Sequence, residues 1–447
     1  MFKRLRFLGV YVLFWVMLFE CCRVLFLIYE WRKSSHLGSG LLAGALASGL
    51  RMDLSAACYL TIIPLLIVAG NGFISTRITR RMLEWLTIPV VILVAIIVVG
   101  DLGLFAAWGF RIDVTPLLYM STPREAIVSA SSSPLALLVV ILCAVAAFAI
   151  IAFRRLVLPL HDEAPRRSPV QSAGVLALVV PLFVGVRGGT QLAPINQSSV
   201  YFSGDEFANQ AAINPAWNFF ASAAYRQPDR NDYEFTDERS AQRVVDSLLG
   251  VSAPPPLPGK SRWLLRVRRP NIVLIIWEGL TAKVIGPLGG RADVTPNFTR
   301  LTRDGILFDG IYASGNRTPK GLPAVLSGFP SQPVQVVVKS WTKSAALPTL
   351  SGTLSRAGYQ SSFYYGGELE FANIKTYLAN GHYSRLVSKS DFDAKDWNSK
   401  WGAHDHVVLG RMFDEIRTAH QPWLATILTL SSHEPFEVPM KTVIPGD

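Results

Sequence analysis

The sequence predicts a multi-pass α-helical membrane domain followed by an α/β domain with a mostly parallel sheet. Three observations carry this reading. The long apolar runs are confined to roughly the first 190 of the 447 residues. Beyond them, strand-like and helix-like patterns alternate. Lys and Arg also crowd every second loop between the apolar runs, which is the positive-inside asymmetry of a chain that crosses a bilayer several times.

A spanning helix needs roughly 20 mostly apolar residues. Five such segments lie near 7–30, 42–70, 84–108, 133–153 and 171–188. Lys3, Arg4, Arg6, Arg77, Arg80, Arg81, Arg154, Arg155, Arg166 and Arg167 fall on one side of them, against Arg32, Lys33, Arg111 and Arg124 on the other. An odd number of spans that starts inside puts everything beyond Gly189 outside the cytoplasm. The formal net charge of +11 is thereby explained as topology, and nucleic acid is not an expected partner. The first span is too long for a signal-peptide core and lacks a small-residue cleavage site, so it is expected to be retained. Cys21, Cys22, Cys58 and Cys143 all sit within spans, so the outer domain must hold together without disulfides.

Glu20 with Arg23, Arg51 with Asp53, and Asp101 lie at membrane depth. Such residues suggest function by default. They are equally compatible with an i,i+3 pair that neutralises itself inside a bundle, and the sequence leaves the two readings open.

Residues 189–260 read as a connector. An aromatic and polar stretch suits the outer membrane interface, and "SAPPPLPGK" is a stiff proline-rich spacer. This divides the chain into 1–188, 189–260 and 261–447. In the last part "NIVLIIW" is expected to be a strand buried on both faces. "TPNFTRLTRDG" is a helix opened by Thr295 and Pro296 and stopped by Gly305. "ILFDGIYAS" is a second strand, "ALPTLSGTLSRAG" a helix, "YQSSFYYGG" a strand, "ELEFANIKTYLANG" a helix and "WLATILTLSS" a strand.

In such sheets ligands bind beyond the carboxyl ends of the strands. Glu278, Thr318, the "YYGGELEF" turn and His433 stand there. Thr318 ahead of Pro319 suits an N-cap. A hydroxyl at a helix start can equally attack phosphorus while backbone amides hold the phosphoryl oxygens, with Arg317 and Lys320 adding positive charge. Glu278 either caps a helix, pairs with an Arg, or supplies a carboxylate to a hard divalent cation that Thr318 shares. Ser431 and Ser432 are too close in sequence to His433 for a Ser–His pair. His404 and His406 face different directions on a helix and are expected at the surface.

The motifs "NIVLIIWEGL", "VTPNFTRLTRDGILF", "GNRTPKGLPAVLSGFPS", "YYGGELEFANIKTYLANG", "WGAHD" and "LTLSSHEPFEVP" follow one another as in a known family. Together with the five-span anchor they resemble the lipoteichoic acid synthase and phosphoglycerol transferase group of the alkaline phosphatase–sulfatase superfamily. The resemblance implies a sulfatase-like catalytic domain on the outer, periplasmic side of a bacterial cytoplasmic membrane. It implies a nucleophilic Thr318 that takes phosphoglycerol from a phosphatidylglycerol-like lipid and passes it to an envelope glycan, lipid or glycerol-phosphate acceptor. It further implies one divalent metal held by Glu278 and Thr318, manganese first, with magnesium or zinc as alternatives. His433 would contact the substrate phosphate or glycerol. Glu368, Phe371 and Asn373 stand where the family has an acidic residue, a tryptophan and an arginine. Losing that arginine removes a bidentate phosphate clamp and leaves the transferred head group open. The family also completes its metal site with a downstream Asp–His pair. None follows "SHEPF" before Asp447, so the sequence is expected to be C-terminally truncated and inactive as it stands. Rival readings are a phosphoethanolamine transferase, a sulfatase-like hydrolase, and a degenerate membrane-anchored binding module. Thr318 opposes the hydrolase, because threonine cannot be oxidised to formylglycine.

Overall fold

The computed structural model describes residues 2–114, 116–117, 134–162, 169–224, 235–248, 267–332, 335–433 and 436–441. The proline-rich spacer and the boundary placed near Lys260 lie outside them. The chain divides into two compact units, Met1–Tyr225 with Glu368–Asn380, and Arg226–Gly367 with Gly381–Asp447.

The first unit is built on helices α1 (Phe2–Tyr29), α2 (Ser39–Gly70), α3 (Thr76–Trp108), α4 (Leu135–Ala152) and α5 (Val179–Arg187). Helix α4 runs on through a π-turn to Asp162, and α5 is preceded by the shorter helix Pro169–Leu176. Among the described residues, five segments are long and apolar enough to cross a membrane. The expected second span is one continuous helix with Pro64 inside it. Phe7, Tyr11, Trp15, Val68, Val91 and Phe153 pack into a shared core. Met17, Ile63, Ile96 and Val140 stay exposed on the outside. A water-facing bundle would place polar residues there, so apolar side chains on both faces mark a lipid environment.

The i,i+3 pairing read from the sequence is only a secondary contact at membrane depth. Arg23 reaches across to Asp53 on α2, with Nη2 at 2.8 Å from both carboxylate oxygens. Glu20 is a distant second at 3.9 Å. Gly49 makes the crossing possible, because a Cβ there would collide with the Arg23 guanidinium. Arg51, expected beside Asp53, instead donates to the Gly188 carbonyl at 3.1 Å. Asp101 pairs with the buried Arg111 at 3.1 Å. The connector completes this layer through helices α6 (Glu206–Ala212) and α7 (Pro215–Ala224). Asn214 donates to Asp53 at 2.7 Å, Gln210 accepts from the Arg111 amide at 3.1 Å, and Asn218 donates to the Ile112 carbonyl at 2.9 Å.

Glu368–Asn380 also belongs to this unit. Helix was expected from Glu368 onward, yet only Ile374–Asn380 is α-helical. Ala372 and Asn373 take left-handed backbone angles, φ +52° and +63°, which break the turn ahead of it. The segment is tied to the connector by the Asn196 side chain, which donates to the Glu370 carbonyl at 2.7 Å, and by the Ser198 and Thr376 hydroxyls, 2.8 Å apart.

The second unit contains an all-parallel sheet of β1 (Ile272–Ile276), β2 (Gln360–Tyr365), β3 (Arg385–Val387) and β4 (Trp423–Leu428), in the order β1-β4-β2-β3. Three of the expected strands are present. The fourth, "ILFDGIYAS", is not a strand: Ile306, Phe308, Ile311 and Tyr312 are all exposed, and no strand among the described residues pairs with them. Strand β3, only three residues long, was missed. Among the described residues β1 lies at the sheet edge, and its Val273 and Ile275 are exposed on one face, so the expected burial on both faces belongs to β4 instead. Helices α8 (Thr318–Ser327) and α9 (Asp405–Thr418) follow β1 and β3 in the chain. The sheet and α9 share a core of Tyr364, Val387, Val408, Met412, Ala425 and Ile427.

Glu415 fastens α9 to two strands. It accepts a two-pronged bond from Arg385 at 2.7 and 2.8 Å, one from Arg411 at 3.0 Å and one from the Tyr364 hydroxyl at 3.0 Å. Arg385 is the main cause that holds its carboxyl down at about 2, against an ordinary 4.5. A depressed carboxylate stabilises fully above its unfolded value and loses that contribution as pH falls through the folded one. Half-exposed pairs contribute at most about 1 kcal/mol. Glu415→Gln is therefore expected to lower the unfolding temperature by about 2–4 °C at pH 7. The gap from the parent should close between pH 4.5 and 2, as followed by thermal unfolding across that range.

Candidate active site

The site begins with strand register. Strands β1 and β4 are parallel neighbours whose last residues, Ile276 and Leu428, are paired, so the two chains leave the sheet side by side. Three bonds stitch the exits together. The Thr429 amide donates to the Ile276 carbonyl at 3.0 Å, the Glu278 amide to the Thr429 hydroxyl at 2.9 Å, and the Ser432 hydroxyl to the Glu278 carbonyl. Gly279 then turns away at φ +68°, where a Cβ would stand 3.1 Å from the Ser432 carbonyl oxygen. A side chain there would carry both left-handed strain and a close contact. The Glu278 backbone is therefore fixed, and its carboxylate is half-buried.

Helix α8 brings the hydroxyl. Thr318 was expected to be the N-cap; the cap is Arg317, whose extended backbone (φ −141°, ψ 143°) and carbonyl start the helix. Thr318 is the first helical residue. Its hydroxyl caps nothing and instead donates to Glu278 Oε2 at 2.9 Å. The competition between cap and chemistry is resolved by one position: a residue at the first helical place has no geometry for capping its own helix.

The same 2.9 Å bears on a metal. Neighbouring oxygen ligands of an octahedral cation held at about 2.1 Å lie about 3.0 Å apart, so these two hard donors fit a shared divalent ion. Among the described residues no group of three or more His, Cys, Asp or Glu is placed to hold a metal, so the pair would supply only part of a coordination shell.

His433 sits on the stitched turn, half-buried, with its ring edge-on to Trp401 at 5.1 Å between centroids. Ser431 and Ser432 are both engaged with backbone groups, the first accepting from the Asp405 amide at 3.1 Å. Arg317 is exposed. Lys320 is half-buried and donates to the Gln332 carbonyl at 2.9 Å, lining an open depression of about 560 Å³ with Ser314, Asn316 and Ser331. Glu368, Phe371 and Asn373 lie in the other compact unit. His404 was expected at the surface. It is 1% exposed, its two ring nitrogens facing Asn398 Oδ1 at 2.6 Å and the Glu437 carbonyl at 3.0 Å; His406 is exposed as expected. Sequence reasoning passed over Thr429 and Asp405, which hold the turn; Asp405 does so through the Leu430 and Ser431 amides of another element, which no local pattern marks.

The segment that carries this carboxylate and hydroxyl also matches a family model. The sulfatase family model covers residues 270–443. That segment is similar to sulfatase domains. Over 189 residues the chain is 23% identical to a lipoteichoic acid synthase-like protein of Bacillus subtilis (strain 168), covering 41% of this chain and 30% of the relative. Over 93 residues it is 30% identical to phosphoglycerol transferase I of Xanthomonas campestris pv. campestris, covering 19% and 13% respectively. The chain thus spans under a third of the length of these curated relatives. A solved alkaline phosphatase superfamily protein from Vibrio parahaemolyticus aligns with 48% of this chain and 54% of its own, at 27% identity and a TM-score of 0.41. The Glu278 and Thr318 pair and His433 all lie inside the segment that matches the sulfatase family model.

Proposed function

We propose that the protein is a membrane-anchored phosphotransferase that moves a phosphoglycerol group from a phospholipid, through a phospho-threonine at Thr318, to an acceptor hydroxyl. The observation that carries this is the Thr318 hydroxyl, freed from capping and donating to Glu278 Oε2 at 2.9 Å. Relatives named lipoteichoic acid synthase-like and phosphoglycerol transferase support the head group, with a glycan or lipid as acceptor. The odd number of spans and the loop charges support an extracytoplasmic catalytic domain at 261–447.

In the first step Thr318 Oγ1 attacks the lipid phosphorus, forming a P–O bond as the bond to diacylglycerol breaks. Glu278 takes the hydroxyl proton, which leaves with the diacylglycerol alkoxide. In the second step the acceptor hydroxyl displaces Thr318, and the proton returns to it. A divalent ion held by Glu278 and Thr318, manganese in this reading, would supply Lewis acidity and lower the hydroxyl's pKa. Lys320 and Arg317 add positive charge near the helix start, and His433 is the proposed contact to the phosphate or glycerol oxygens. Glu368, Phe371 and Asn373 are proposed substrate contacts on the strength of the family resemblance alone.

The test is to incubate the full-length protein with phosphatidylglycerol in the absence of acceptor and to digest it for mass spectrometry. The peptide containing Thr318 is expected to gain one glycerophosphoryl group, and chelation with EDTA should prevent the gain until manganese is restored. An unmodified Thr318 alongside diacylglycerol release would end the covalent reading.

A further inference from the structure

One short segment, Asn398–Asp405, grips the His433 turn from outside, and nothing in the proposed chemistry uses it. Asp405 opens α9 at the point where β4 ends. Its carboxylate accepts from the Leu430 amide at 2.6 Å and the Ser431 amide at 3.0 Å, while the Ser431 hydroxyl accepts from the Asp405 amide at 3.1 Å. Beyond His433, the Glu437 carbonyl faces the buried His404 ring at 3.0 Å, and Glu437 Oε2 accepts from the Lys400 amide at 2.6 Å. The ring of Trp401, between these two grips, stands against the His433 ring at 65°. Amide bonds to a carboxylate are charge-assisted and roughly twice as strong as neutral ones. A turn that would otherwise have the mobility of a surface loop is thereby held on both sides of one imidazole.

We propose that Asp405, with Trp401, is a positioning residue for His433 that sets the direction in which the imidazole meets the bound phosphodiester. This rests on the role given to His433 above. Asp405 acts only through the turn: it holds two amides whose place in the chain fixes the Cα of His433, while Trp401 limits the ring's rotation. The side chain is well chosen. Asparagine keeps one acceptor but turns an NH₂ group toward an amide donor, and alanine removes both acceptors.

The test has two arms on the full-length protein in detergent micelles. In the first, histidine is isotope-labelled and the His433 ring signals are identified by their loss in His433→Ala. The ring-current shift from Trp401 is expected to vanish in Asp405→Ala and in Trp401→Leu. In the second, release of diacylglycerol from labelled phosphatidylglycerol is measured. Asp405→Ala should lower kcat/KM roughly 10- to 100-fold, and the same substitution in a His433→Ala background should cost nothing further. Unmoved His433 signals, or an equal loss in both backgrounds, overturns the proposal. If Thr318→Ala releases lipid normally, the transferase reading fails while the first arm still decides the positioning. Should Asp405→Ala unfold the domain, the signals of its five histidines, His382, His404, His406, His420 and His433, collapse together, and Asp405→Asn takes its place with a smaller shift of the same sign.

Discussion

Thr318→Ala is expected to lower diacylglycerol release by the full-length protein roughly 10⁴-fold or more, with the unfolding temperature almost unchanged. The second half of that expectation comes from the geometry. A threonine that caps its helix costs about 1 kcal/mol when truncated. Here the cap is Arg317, and the Thr318 hydroxyl makes its bond to Glu278, a half-buried carboxylate that keeps contact with water. Alanine therefore removes the attacking oxygen and leaves the helix start as it was. Thr318→Ser keeps an oxygen in place without the methyl group that limits its rotamers, and should retain measurable turnover. Glu278→Gln keeps the backbone stitches to Thr429 and Ser432 but loses the proton acceptor and one charge toward a cation. It should fall nearly as far as Thr318→Ala. Normal release by Thr318→Ala would remove the threonine from its role. A large fall in unfolding temperature would show instead that the hydroxyl is structural.

How much of this was legible beforehand depends on the range over which each signal acts. The spans could be read because a run of about twenty apolar residues is rarely found outside a helix that crosses a bilayer. Strands β2 and β4 could be read because their burial is dense and local. "ILFDGIYAS" has the same apolar content but no partner strand among the described residues, and pairing is a property of the sheet rather than of the run. Glu278 and Thr318 were found by asking what lies beyond strand ends. Which of them was a cap could not be found that way, because one residue of shift at a helix start reverses the answer. The partners of Arg23 and Asp101 were out of reach for a related reason. Sequence favours neighbours at i+3 and i+4, whereas Arg23 chose Asp53, thirty residues away, through a gap that only Gly49 leaves open. The same limit hid Asp405, whose value lies in two amides on another element.

Asp53→Ala is expected to cost about 3–5 kcal/mol, because it strands the Arg23 guanidinium inside the bundle without its counter-charge. For a unit of this size that is a fall of roughly 10 °C in unfolding temperature in detergent. Asn214 would lose its acceptor as well, so the connector loosens together with α1 and α2. Glu20 offers a weak refuge at 3.9 Å, and a fall under about 2 °C would mean that Arg23 turns to it. Removing both charges should be milder. Arg23→Met with Asp53→Leu leaves an apolar layer of similar volume, and buried pairs replaced in that way often lose little. The double variant also separates the two readings that the sequence left open. If it folds and releases diacylglycerol at the parent rate, the pair is a fastening between helices. If it folds and release stops, the charges at membrane depth act on the lipid or its head group. The single variant cannot make that distinction, because loss of fold and loss of function would arrive together.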